Sequence, residues 1–427
     1  MSAATLAPLP RVFRLRLPPD LGLVVLTILI LGVSGGMLWT VGLNYDGLTG
    51  SAPQKVHPST YLCIAMLAAA MLRAGNPVAH LARMSVLRPA SLFLAASGIG
   101  LFLHIAVRSA PGMAGTVDTF VLPGLFMMLL VDSGPERLRR LETAVHAVMI
   151  VNGLLAVVEF ALHQRFFPYR LDGAVFETDT RSAALQGHPL ANATVTACYA
   201  VALMAGGGSL PPLVRLAVIG VQLAALVAFG GRSAIVLTTV LGGGCALLAL
   251  HRTLSRGKVP LLAAAAAAVA LPLAALGLGI LATGGFFDAL LGRFEADGGS
   301  ANARVAMFDL FGRLPFRDLL FGPDTTLVES LRRITGLEWG IENPIIRTLL
   351  YQGALMTGLL TLAVCLFLRE VGRLCRRGVA LPMLAFAVLS NTFESLGGKS
   401  TLLAKFAILL IALYRPLPGA TRDDRSA

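Results

Sequence analysis

The stretch LGLVVLTILILGVSGGMLWT, residues 21–40, decides the class of this chain. It holds no charged residue and is long enough to cross a bilayer, whose hydrocarbon core of about 30 Å takes about 20 apolar residues as a helix. A second run, VPLLAAAAAAVALPLAALGLGILAT at residues 259–283, is also uncharged and of that length. Around these two stretches, 56% of the 427 residues are hydrophobic and 14% are charged. A soluble domain carries about 25% charged residues. The apolar residues come in blocks rather than at amphipathic spacing. The chain therefore reads as an all-α, polytopic integral membrane protein of about 12 transmembrane helices. Arg11, Arg14 and Arg16 precede the first block, which exceeds a signal-peptide core and is followed by no A-x-A site. It reads as an uncleaved first span.

The predicted spans are 21–43, 60–72, 91–107, 116–131 and 142–162, then 189–205, 213–229, 233–250 and 259–283, then 344–368, 379–390 and 401–414. Loop charge orients them. Arg73/Arg83/Arg88, Arg137/Arg139/Arg140, Arg252/Arg256/Lys258 and Arg369/Arg373/Arg376/Arg377 join the N-terminal arginines in one basic set. Loop 163–187 sets Arg165, Arg170 and Arg181 against Asp172, Glu177 and Asp179, and loop 284–343 has more carboxylates than arginines. Basic loops stay on the cytoplasmic side, so both termini are expected there. The resulting division is a cytoplasmic segment 1–20, five spans over 21–162 and an extracytoplasmic loop of medium length, 163–188. Four spans over 189–283, a long extracytoplasmic loop 284–343, three spans over 344–414 and a cytoplasmic tail 415–427 complete it.

The net charge of +12 does not point to nucleic acid, because the cations sit in short clusters between apolar blocks, where anionic lipid attracts them. The five cysteines have no CxxC spacing. Neither a zinc site nor a structural disulfide is expected from them, and no cofactor or metal motif appears.

Structureless loops beyond about 15 residues are uncommon unless functional, which directs attention to the two long ones. Loop 163–188 ends in Arg181, Gly187, His188 and Pro189, with proline suited to the first helical position. A helix start beside an arginine can hold an anion, and an ordinary capped start beside a solvated His188 reads equally well. Arg232 follows Gly230-Gly231 at the mouth of the eighth span, to pair with a ligand or to snorkel. In the large loop, Ser300 reads as the N-cap of a helix over 301–312 that carries Arg304 and suits the membrane interface. The turn Phe321-Gly322-Pro323-Asp324 follows. Glu342-Asn343-Pro344 then reads as residue, N-cap and first helical position, with Arg347 and Tyr351 on successive turns of one face. Glu342 is either a simple helix-stabilising charge or a base. Glu159 and Asn152 in the fifth span, with His104, Arg108 and His146, line a polar cavity or serve as buried partners. Gly397-Gly398-Lys399-Ser400 imitates a phosphate loop, but Phe393 stands where that loop needs glycine, so it is set aside.

Five short motifs recur in a fixed order: Arg181…Gly187-His188-Pro189, Gly231-Arg232-Ser233-Ala234, Ser300-x-x-x-Arg304, Phe321-Gly322-Pro323, and Glu342-Asn343-Pro344 followed by Leu349 to Leu355. In these, over residues 180–370, the chain resembles the O-antigen ligase and O-antigen polymerase (Wzy-like) superfamily. The resemblance implies a metal-independent glycosyltransferase of the bacterial inner membrane, without cofactor, acting on undecaprenyl-diphosphate-linked oligosaccharide at the outer face. It implies Arg304 and Glu342 as catalytic, the latter as base, with Arg181, His188, Arg232, Arg347 and Tyr351 binding substrate. Membrane lipid, a chain-length regulator and a flippase of the same pathway are the implied partners. Ligases of the superfamily read His before the Asn. Glu342 stands there in this chain, which favours a polymerase of exopolysaccharide or O-antigen over a ligase. The polymerase spacing of an Arg followed eleven residues later by Gly is absent from both loops. A transporter or flippase stays open as a third reading.

Overall fold

The computed structural model describes residues 19–47, 49–110, 112–171, 174–175, 180–255, 279, 283, 306–337 and 340–415. Nearly all of the ordered backbone in these residues is helical. The one ladder is a hairpin pairing Arg170 with Val175 and Leu171 with Ala174. Proline opens many of the helices, because its fixed φ suits the first turn and its missing N–H is not needed there. Pro58, Pro77, Pro189 and Pro344 each follow a His or Asn whose side chain accepts from the helix's first N–H groups.

Among the described residues, five helices are long and apolar enough to span a membrane: Pro89–Val107, Pro135–Leu162, Pro212–Phe229, Arg232–Ser255 and Ala354–Leu374. Pro58–Arg73 and Pro77–Leu87, bent by 119°, qualify together as a sixth. Shorter apolar helices cover Leu21–Gly32, Met113–Leu129, Pro189–Met204, Ala380–Leu389 and Leu402–Leu413. Two of these short helices, Pro189–Met204 and Leu402–Leu413, are buried along nearly their whole length and form the centre of the bundle. Wrapped by protein, they need not match the bilayer in length. Phe386 and Phe406 stack there at 4.0 Å between ring centroids.

Three predicted spans are not single helices. The first breaks after Gly32, where Ser34 caps a new helix, Gly35–Thr40, by accepting from the Met37 N–H at 3.3 Å. The fourth winds through a π-helical turn at Val117–Val121. The tenth breaks at Gly353, whose φ of +84° suits glycine, into Pro344–Gln352 and Ala354–Leu374. The ninth, 259–283, lies outside the described residues apart from Gly279 and Thr283, as do Ser300 and the first part of the 301–312 helix. The basic 73–88 connection, expected as a loop, carries the helix Pro77–Leu87.

What is described of the large loop folds on its own small core of Met307, Leu310, Leu314, Val328, Leu337 and Ile341, capped by Leu350. Phe316–Phe321 and Thr325–Ile334 are its helices, joined by the expected turn. Asp324 accepts there from the Thr326 N–H at 2.8 Å.

Contacts among the connections fall into two groups. Lys399 reaches the Tyr45 carbonyl at 2.7 Å, Arg108 the Tyr351 carbonyl at 2.8 Å, and Asn343 the Asn391 carbonyl at 3.4 Å. Elsewhere Arg83 pairs with Asp132 at 2.6 Å, the Ala90 N–H reaches Glu370 at 2.8 Å, and Arg415 pairs with Glu142 at 3.0 Å. The first group lies at residues 45, 108, 343–351 and 391–399, and the second lies in or beside the basic connections.

Candidate functional site

The segment from Ser182 to Gly187 dips into the helices and is held from below. Glu159, buried near the end of Pro135–Leu162, accepts from the backbone N–H groups of Phe166 at 2.9 Å, Ala183 at 2.9 Å and Ala184 at 2.8 Å, and from the Ser182 hydroxyl. Two turns deeper, Asn152 accepts from the Leu185 N–H at 3.1 Å and donates to Asn192 at 3.1 Å. Asn192 in turn donates to the Ala183 carbonyl at 2.6 Å. Glu159 and Asn152 are therefore buried partners; they supply the segment's missing backbone bonds, as buried peptide groups require. The local path is tight. Ala184 has φ +40°, and a Cβ on Gly187, with φ +83°, would sit 2.9 Å from Cβ of Ser34.

This anchoring places three of the sequence-predicted residues. His188 caps the helix Pro189–Met204, its Nδ1 accepting from the N–H groups of Leu190 at 3.2 Å and Ala191 at 3.4 Å. The helix start proposed as an anion site is thus capped by the imidazole. Its ring meets Tyr169 edge-on at 4.6 Å and stacks with Phe393 at 5.8 Å. The Ser182 N–H donates to the Ala228 carbonyl at 3.1 Å, which ties Arg181's segment to the turn that presents Arg232. Both arginines are half-buried.

The second half of the site begins at Asn343, whose Oδ1 accepts from Ile345 and Ile346, both at 3.0 Å. That is the cap expected from the sequence. Glu342, half-buried, immediately precedes it. One turn on, Arg347 pairs with Glu394 at 3.0 Å and lies over the Tyr351 ring at 5.4 Å. The Tyr351 hydroxyl donates to Glu329, which also accepts from Arg332 at 2.7 Å. Burial alone would raise the Glu329 carboxyl, but the Tyr351 and Arg332 hydrogen bonds outweigh it and hold the group below its usual range.

The turn 391–400 is where the two halves meet. Phe393 lies against His188, the Asn391 carbonyl accepts from Asn343, and Glu394 holds Arg347. Next to it, Lys399 reaches Tyr45, whose hydroxyl donates to buried Asp118 at 2.9 Å. Lys399 is thus a brace, consistent with setting the phosphate-loop likeness aside. Burial lowers Lys399 to about 8 and raises the neighbouring Asp46 to about 6.

The structure therefore gathers His188, Arg347 and Tyr351, with Glu342 adjacent, around one turn, and puts Arg181 and Arg232 on a connected pair of segments. Arg304 lies outside the described residues. Glu394 and Glu329 are additions, while Arg108, singled out in the sequence, donates to the Tyr351 carbonyl. A carboxylate in the short connection 391–400 was the visible signal for Glu394. Nothing local marks Glu329. Among the described residues no three His, Cys, Asp or Glu side chains are grouped to hold a metal, and the five cysteines are free. No family model, no curated protein and no solved structure matches the chain.

Proposed function

We propose that the chain is a polysaccharide polymerase of the bacterial inner membrane. In this reading it transfers glycan from an undecaprenyl-diphosphate carrier to a lipid-linked acceptor at the outer face. The observation that carries it is the convergence on the 391–400 turn. Side chains from positions 188, 342–351 and 394, far apart in sequence, form one polar surface of arginine, carboxylate, imidazole and phenol. Arginine suits a diphosphate because its planar fork binds two oxygens at once. A carboxylate at a helix start stays ionised and can accept a proton.

The step is a substitution at the anomeric carbon. The acceptor hydroxyl oxygen bonds to that carbon as Glu342 takes its proton, and the bond from carbon to phosphate oxygen breaks. The carrier diphosphate leaves with the electron pair, neutralised by Arg304, Arg181 and Arg232, with Arg347 close by. Glu394 is the counterion Arg347 keeps until an anionic substrate displaces it. Twelve spans with cytoplasmic termini complete the reading. The second contact group supports that alternation, since it brings connections of the basic charge set together.

Two other readings stand behind this one. A ligase would use the same surface with a different acceptor. A transporter would be favoured by the amine of Lys405, which is buried in the central helix Leu402–Leu413 and bonded to Gln186 at 3.4 Å. Deleting the gene separates the three. A lost polymerase leaves single repeat units on the carrier at the outer face. A lost ligase leaves long polymer on the carrier. A lost flippase leaves single repeats at the inner face, and either of the last two results overturns the proposal.

A further inference from the structure

Two helix ends fix the level of the turn at Phe321–Pro323. The helix Ala354–Leu374 has 21 residues, so it is about 31 Å long, and its charged residues Arg369, Glu370 and Arg373 all fall in its last two turns. Those charges belong at one face of a hydrocarbon core of about 30 Å, so its first residues stand toward the opposite face. Gly353, just before it, packs backbone to backbone against Phe321 and Gly322, where an added Cβ would collide. The second helix end is that of Pro89–Val107. Arg108, its C-cap, donates to the Tyr351 carbonyl at 2.8 Å and to the Pro323 carbonyl. Both ends put the turn at the same boundary.

At that level the segment 308–321 leaves aromatic rings uncovered. Phe316 is 80% exposed and Phe321 is 56% exposed, and Phe308 is exposed as well. Leu355, in the first turn of the adjoining helix Ala354–Leu374, is also exposed, so the apolar surface runs on from the spanning helix to the loop. Arg313 and Arg317 are exposed on the same segment. Aromatic rings at the headgroup level with arginines beside them are the pattern by which membrane proteins grip the interface.

We propose that the segment 308–321 is a lipid anchor. Phe316 and Phe321 lie in the interfacial layer of phospholipid, and the arginines reach headgroup phosphates. The large loop's folded core is then moored to the bilayer surface, next to the helix that carries Arg347 and Tyr351. The inference depends on Ala354–Leu374 spanning the bilayer and on no particular reaction.

Photo-cross-linking in native membranes tests it with the full chain. Phe316→benzoylphenylalanine and Phe321→benzoylphenylalanine are compared with Leu362→benzoylphenylalanine, on the exposed face of the span, and Ser330→benzoylphenylalanine, exposed on Thr325–Ile334. After irradiation, peptides are screened by mass for phospholipid adducts. The expected result is adduct yield at 316 and 321 close to that at 362 and several-fold above that at 330. Yields no higher than at 330 would overturn the anchor while leaving the span intact. Cross-links from 316 or 321 to another chain would overturn it too, because a protein then covers the rings. Absence of lipid adducts at 362 as well would remove the spanning helix and the anchor together.

Discussion

The helix starts at His188–Pro189 and Asn343–Pro344 are built alike and rooted differently. In each, a side chain before proline accepts from two backbone N–H groups. The first hangs from buried groups: Glu159, Asn152 and Asn192 accept or donate inside the helices with little water in reach. The second is rooted at the surface, where the Arg347 and Glu394 side chains are 27% and 43% exposed. Buried hydrogen bonds are costly to break because nothing replaces them, whereas exposed ion pairs exchange with water or with a ligand. The first region is thus a fixed wall, and the second offers charges that a substrate can recruit.

The sharpest way to break this comparison is Glu342→Gln. General-base assistance is worth about 10²–10⁴ in rate, so polymer formation from lipid-linked repeats should fall by that order while the thermal midpoint holds. Glu342→His should restore part of the activity. Near-normal turnover by purified, stable Glu342→Gln would remove the residue from the chemistry and leave His188 as the next base to test. Glu159→Ala should behave in the opposite way. It strands three backbone N–H groups, two of them buried, and a buried hydroxyl, each buried one worth about 1–3 kcal/mol without a partner. The expected result is a protein of much lower thermal stability. A midpoint equal to the wild type would mean that the wall is not held as described.

Arg304→Lys keeps the charge but loses the fork. A charged hydrogen bond contributes about 1.5–3 kcal/mol, so turnover should drop about ten- to a hundredfold. If Arg304→Lys and Arg304→Ala both polymerise at the wild-type rate, the arginine takes no part in holding the diphosphate.

The smallest effect belongs to the brace beside both regions. Burial lifts Asp46 from its ordinary value to about 6, so the folded protein takes up the proton before the unfolded chain does. Its contribution to stability is therefore full below about pH 4, near the unfolded value, and is lost as pH rises through 6. Thermal midpoints of the wild type should rise relative to Asp46→Asn as pH falls from 6.5 to 4. Parallel curves would show that Asp46 is not held in a desolvated place.

The parts that were legible in the sequence are those with local causes. Asn343 before Pro344 and the turn at Gly322 are recognisable from neighbouring residues, because caps and turns are short-range geometry. The apolar blocks matched helices wherever the structure describes them, since block length and composition carry that information. The joints were harder. The break at Gly353 and the cap at Ser34 interrupt sequences whose hydropathy continues, and only the packing against them shows why. Three partners of Glu159 sit 23 to 25 residues away in a loop, and Glu394 lies 47 residues beyond Arg347. Nothing in a one-dimensional pattern pairs such positions. His188 is a related case. Its side chain caps the helix start that spacing alone presents as open.

The meeting of Gly322 and Gly353 has a consequence for how sequences with this fold can diverge. At Gly353 an added Cβ would strike the backbone of Phe321 and Gly322, and at Gly322, with φ +110°, it would strike the Arg108 guanidinium. Around these two positions, the exposed surface of residues 306–334 can vary in charge and shape without shifting the helix that bears Arg347. Two glycines thus act as a socket. A lineage could vary the exposed face of the large loop while inheriting the position of the charged groups beside it unchanged.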